Sequence, residues 1–166
     1  MNDTKVSVKE GILLAVILTV LLAAFSIITG KIGYTEAWAG YMFFWFWSTI
    51  RHFEKELVIS DFLNSIVGIA LGFGVFTILH TYGMAVFESV TLLVLLVVLF
   101  FSITKIIPYI IGDTTFLFFT VLTSHALLSD ANYVQISASY VLGAIFFILT
   151  ISFVFKLMHK TEPFSD

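Results

Sequence analysis

The chain has no cysteine and only two prolines in its 166 residues. Without cysteine there is no disulfide and no thiol chemistry. Charge is scarce as well. Only 11% of the residues are Asp, Glu, Lys or Arg, against roughly 25% in soluble domains. No basic run suggests nucleic acid, and the short connections leave no room for a soluble domain. No nucleophile–base pair, phosphate loop or metal-ligand cluster is present, so an enzyme is not expected.

What the chain has is hydrophobic length. Sixty per cent of it is hydrophobic, with a mean hydropathy of +1.07. A hydrocarbon core of about 30 Å takes about 20 helical residues. Six apolar segments fit: 11–29, 34–50, 62–82, 85–104, 106–128 and 133–157. They are too long and too uniformly apolar for the strands of a membrane barrel. Helices are the other way to satisfy the backbone in lipid. The expected fold is an all-α membrane protein of six transmembrane helices, one domain over residues 1–166. The first run has flanking lysines but no small-residue cleavage pattern after it. It reads as a retained helix rather than a signal peptide.

The basic residues alternate between connections. Lys5, Lys9, Arg51, Lys55, Lys105, Lys156 and Lys160 fall at the two ends and in the second and fourth connections; Lys31 alone falls in an odd one. The positive-inside rule then puts both termini in the cytoplasm. Tyr34, Trp38, Tyr82 and Tyr133 mark the outer interface.

Six helices divide into two sets of three, and an odd number per set inverts the second. The half-repeats would be 11–82 and 85–157, an inverted-repeat plan. Gly40 precedes Phe44 by four residues, and Gly112 precedes Phe116 by four. Each of those helices is followed by one with an internal glycine, Gly68 or Gly143. Chance also gives such matches in apolar sequence.

Ile107-Pro108-Tyr109-Ile110-Ile111-Gly112, an aromatic-rich helix and a Gly-containing last helix form one pattern. Trp38-Ala39-Gly40, aromatics, a charged turn and Ser65-Ile66-Val67-Gly68 form the other. Together they resemble the YcdZ-type bacterial inner-membrane proteins, an uncharacterised family, from Trp38 onward. Asp113 and Thr114 depart from the small residues expected there. The resemblance implies a bacterial cytoplasmic membrane and no particular activity.

Asp113 is the most informative side chain. Counted along a continuous helix from Lys105, it lies about 12 Å into the bilayer at 1.5 Å per residue. An aspartate at that depth is costly unless it faces protein or water. With Thr114, Thr120 and Ser124 it would form a polar wall for a solute or ion path. Otherwise it is a buried carboxyl capped by neighbouring hydroxyls. His80 and His125 sit at the outer ends of two helices and could respond to pH together. Two histidines without a third ligand do not make a metal site. Haem would need a facing pair deep in the bilayer, so neither a metal nor another cofactor is expected. Gly68 and Gly72, with Gly143 as counterpart, offer close helix packing. The expected function is a small-solute or ion channel or transporter, in a homo-oligomer embedded in lipid, its path lined by helices two, three, five and six. The alternative is a non-transporting module: an assembly partner, sensor or lipid-binding subunit.

Overall fold

The computed structural model describes the backbone of residues 8–124 and 131–160, and side chains of 11–124 and 131–156. The described residues are all-helical. The helices are α1 (Val8–Ile32), α2 (Trp38–Trp45), α3 (Val58–Tyr82), α4 (Met84–Thr104), α5 (Asp113–Leu122) and α6 (Tyr133–Lys160). A π-helical turn, Phe46–Ile50, continues α2. Four of these, α1, α3, α4 and α6, are long and apolar enough to cross a membrane. The chain is a multi-pass membrane protein.

The other two helices are short. The second apolar segment, expected over 34–50, gives eight α-helical residues and five in the π-turn. The fifth, expected from Ile106, is helical only from Asp113 and runs for 10 residues. Its start is delayed for a local reason. Pro108 disfavours the α conformation at Ile107. Lys105 caps α4 in the left-handed conformation, φ 54°, its N–H donating to Phe101 O at 3.0 Å. The chain then turns until Gly112, whose N–H donates to Thr115 Oγ1 at 3.2 Å and so caps α5. The opposite turn, between α3 and α4, is a single Gly83 at φ 80°, where a side chain would be strained.

Packing follows two main pairs. α3 lies along α5, and α2 lies along α6. α4 flanks the first pair and α1 the second. Both pairs close at glycine. A Cβ on Gly68 would stand 2.7 Å from Thr115 O, and one on Gly72 2.8 Å from Leu122 Cβ. A Cβ on Gly143 would stand 2.4 Å from Gly40 Cα. Gly68, Gly72 and Gly143 are therefore all occupied by contacts within the chain. In lipid, where apolar surface gives helices no reason to associate, such close approach is what holds them together.

One correspondence links the two pairs. Gly112 abuts Asn64, four residues before Gly68. Gly40 abuts Ser139, four residues before Gly143. The core between the pairs is aromatic: Phe25, Phe43, Phe44, Phe118, Tyr140 and Phe147 are all buried.

Candidate functional site

Charge gathers where the π-turn ends. Widening the helix leaves Arg51 N–H donating to Phe46 O at 3.1 Å. His52 and Phe53 then take left-handed conformations, φ 47° and 62°, costing roughly 1–2 kcal/mol per residue. The reversal turns Arg51 inward over the Phe46 ring, 5.2 Å from its centroid. Its Nε and one terminal nitrogen both meet Asp61, each at 2.9 Å. The same terminal nitrogen reaches Asp113 Oδ2 at 3.4 Å. Asp113 Oδ1 accepts from Lys105 Nζ at 2.8 Å and from Ser102 Oγ at 3.1 Å. The Asp61 side chain is 4% exposed and Arg51 22%, whereas Asp113 and Lys105 lie open at 42% and 52%. The hydrogen bond to Asp61 raises the Arg51 pKa above its ordinary value, against the opposing effect of burial. The guanidinium stays charged at any physiological pH.

Behind the charges lies a layer of hydroxyls and one amide. On α3, Asp61, Asn64, Ser65, Gly68 and Gly72 recur at three- and four-residue spacing, which places them on one face. Thr114 Oγ1 donates to Asp61 O at 3.0 Å and Thr115 Oγ1 to Asn64 O at 2.8 Å. Ser65 Oγ also donates to Asp61 O, at 2.8 Å. Asn64 Nδ2 donates to Pro108 O at 3.0 Å. That last bond ties the irregular 105–112 segment to α3.

Deeper still stands Tyr140 of α6. Its ring packs on Phe43 at 5.8 Å, Phe62 at 5.5 Å and Phe118 at 5.0 Å. Its hydroxyl has no hydrogen-bond partner among the described residues; nor do Asn64 Oδ1 and Ser139 Oγ. Each unsatisfied buried group costs about 1–3 kcal/mol.

The residues singled out in the sequence are only partly brought together. Asp113 and Thr114 belong to the network. The continuous helix from Lys105 to Asp113 is absent, however: residues 105–112 are not helical, and Asp113 pairs with Lys105. Thr120 Oγ1 closes on its own helix carbonyls, Phe116 O at 2.9 Å and Leu117 O at 3.0 Å. Ser124 lies past the end of α5 and is exposed. His80 is exposed, its Nδ1 2.9 Å from Phe76 O and its ring 4.2 Å from that of Phe76. His125 lies outside the described residues, and so does any pairing between the two.

Arg51, Asp61 and Tyr140 were not among the expected site residues. Asp61 carried a readable signal: it shares helical spacing with Asn64 and Ser65, the polar face of an otherwise apolar helix. Tyr140 carried none, since a lone tyrosine in a membrane helix reads as packing.

A second feature lies between α3 and α6, an apolar groove of about 900 Å³ reaching from Tyr34 and Tyr133 to Ile145. No protein-family model, no curated protein and no solved structure matches the chain. The site is read from its geometry.

Proposed function

We propose that the protein is a channel or transporter for a small solute or ion in the bacterial cytoplasmic membrane. Six segments would cross as two inverted halves, α2 and α5 as short helices completed by irregular chain, with both termini cytoplasmic and the path lined by α2, α3, α5 and α6. The observation that carries this reading is the pair of short helices, α2 and α5, at matching positions of the two halves. With 1.5 Å per residue, the eight and five residues of α2 and its π-turn extend about 20 Å, and the 10 of α5 about 15 Å. Both fall short of a bilayer, as do the interrupted helices that line transporter sites. The packing supports the inversion. Exchanging α1–α3 for α4–α6 turns the α3–α5 pair into the α6–α2 pair, and the α3–α4 contact into the α6–α1 contact. The two glycine abutments exchange in the same way. The YcdZ-type resemblance supports the bacterial setting.

Purified protein in proteoliposomes is expected to accelerate uptake of one class among small neutral solutes, weak acids, inorganic ions and protons by at least about tenfold over empty vesicles. Equal rates for every class would favour the non-transporting alternative. Topology has its own test. Cysteines introduced singly at Lys31 and Asp130 should react with an impermeant reagent from outside intact cells; reaction only after lysis would reverse the orientation. A homo-oligomer remains part of the proposal. Because Gly68, Gly72 and Gly143 are used within the chain, its seam would fall on the exposed faces of α1 or α4. Mass measurement in native-like lipid should give more than one copy.

A further inference from the structure

We propose that the groove between α3 and α6 holds one anionic phospholipid, with an acyl chain along the groove and the phosphate at Lys31. The inference does not rest on the transport reading, because it concerns a different part of the molecule.

The groove has a sequence cause. Small residues line both of its walls, Ala70 on α3 and Ser137 and Ala138 on α6. The hollow they leave is about 900 Å³, within the range of about 300–1,000 Å³ of ligand sites. Its length points to a lipid chain. From Tyr133 to Ile145 is twelve residue steps, about 18 Å along α6 at 1.5 Å per residue. One leaflet of the hydrocarbon core is about 15 Å deep. An acyl chain ends where its leaflet ends. A neighbouring transmembrane helix crosses both leaflets and would need a groove about twice as long.

The order of chemistry along the groove is that of a phospholipid. At the rim stand Ile32 and Tyr34 of the α1–α2 connection, with exposed Lys31 directly before them. Thr35, next in the chain, ties this rim to α6: its N–H and its hydroxyl both donate to Gln135 Oε1, at 3.1 and 2.8 Å. Those bonds leave the Gln135 NH₂ as a donor beside the same rim. Below the rim Ser137 is the single polar side chain of the lining, about 6 Å past Tyr133. Thr150 of the same helix closes its hydroxyl on Phe146 O at 2.7 Å; among the described residues Ser137 closes no such bond. A hydroxyl in hydrocarbon needs a partner, and the ester carbonyl beneath a lipid phosphate is an acceptor. Deeper still the lining is purely apolar, with Ile66, Val141, Leu142 and Ile145.

Charge selects the headgroup. Lys31 is the one basic residue in an odd connection, against the bias of the other seven. The ion pairs among the described residues all use Arg51 or Lys105. The acid nearest to Lys31 in sequence, Glu36, accepts from Trp38 Nε1 at 2.6 Å. No carboxylate belongs to the groove lining. A phosphate without a cation of its own in the headgroup therefore suits this rim better than a zwitterion.

The test mixes the purified full chain in mild detergent with phosphatidylglycerol or phosphatidylcholine of identical acyl chains and weighs the particles by native mass spectrometry. One lipid per chain should be retained, with phosphatidylglycerol favoured about fivefold, the effect of one basic residue near an anionic headgroup. Lys31→Ala should erase that preference while unfolding stays cooperative. Ala138→Phe, or Ala70→Leu from the other wall, should fill the hollow and cut retention of both lipids at least about tenfold. No retained lipid, no preference in the wild type, or an unchanged preference in Lys31→Ala would overturn the proposal. So would wild-type retention in a folded groove-filling variant. A dimer that Ala138→Phe splits without loss of lipid would give the groove to a second copy of the chain. The Lys31→Ala result decides by itself if filling the groove unfolds the protein. None of these readouts measures flux, so failure here leaves the transport reading standing, and absence of transport leaves the lipid site standing.

Discussion

Replacing Arg51 by leucine should lower the unfolding free energy by about 3–5 kcal/mol, the range for removing one partner of a buried ion pair. The reason is what stays behind. Asp61 is almost fully buried, and Arg51 supplies both of its side-chain hydrogen bonds among the described residues. Without the guanidinium its carboxylate must either ionise in an apolar setting or take up a proton. Arg51→Lys should recover only part of the loss, because an ammonium cannot present the two-pronged fork that meets both carboxylate oxygens. Leucine at both Arg51 and Asp61 should recover more than Arg51→Leu alone, since no orphan charge remains. Titrating the purified protein in mild detergent with a denaturant gives the series. An Arg51→Leu variant within about 0.5 kcal/mol of wild type, the scale of ordinary surface changes, would mean that the ion pair does not hold the folded state together.

The long helices were legible because apolar length alone specifies them, as α1, α3, α4 and α6 show. α5 was not, and its failure has a local cause. A hydropathy count cannot tell a helix that begins at Ile106 from an apolar turn that ends at Gly112. The information was present in smaller signals. Pro108 argues against helix at Ile107, and Gly112-Asp113-Thr114-Thr115 has the composition of a helix start, where Thr115 does accept the Gly112 N–H. Those seven residues decide where Asp113 falls on its helix. With the turn in place it leaves the middle of the helix and pairs with Lys105. The π-turn was hidden for a different reason. Its residues, Phe-Trp-Ser-Thr-Ile, carry no breaker; the widening answers to Arg51 and Asp61, which are ten residues apart in sequence and meet only in the fold. Tyr140 depends on tertiary structure entirely. Three helices supply the rings around it, and nothing in its own segment says that its hydroxyl will lack a partner.

The glycines give the second large effect, and they should rank by what each would strike. Gly143→Ala should be the most damaging. Its new methyl would meet Gly40 Cα at 2.4 Å and Gly40 C and O at 3.1 and 3.2 Å. All three atoms are backbone, so no side chain can turn aside and α2 must separate from α6. A loss at or above about 3 kcal/mol is expected, the upper end for overpacking. Gly68→Ala should follow at about 1–3 kcal/mol, since it strikes Thr115 O at 2.7 Å and Phe118 Cβ at 2.9 Å. Gly72→Ala meets the Leu122 side chain first, and a modest shift of α5 relieves it at about 1 kcal/mol. Gly74 lies on the same helix as the last two and has nothing within 4 Å. There alanine should stabilise by about 0.5–1 kcal/mol, through the lower backbone freedom of the unfolded chain. Thermal or denaturant unfolding of the four variants in detergent sets the order. Gly143→Ala with wild-type stability would contradict the α2–α6 crossing, and with it the correspondence between the two glycine abutments. A destabilised Gly74→Ala would place a second copy of the chain against that face of α3.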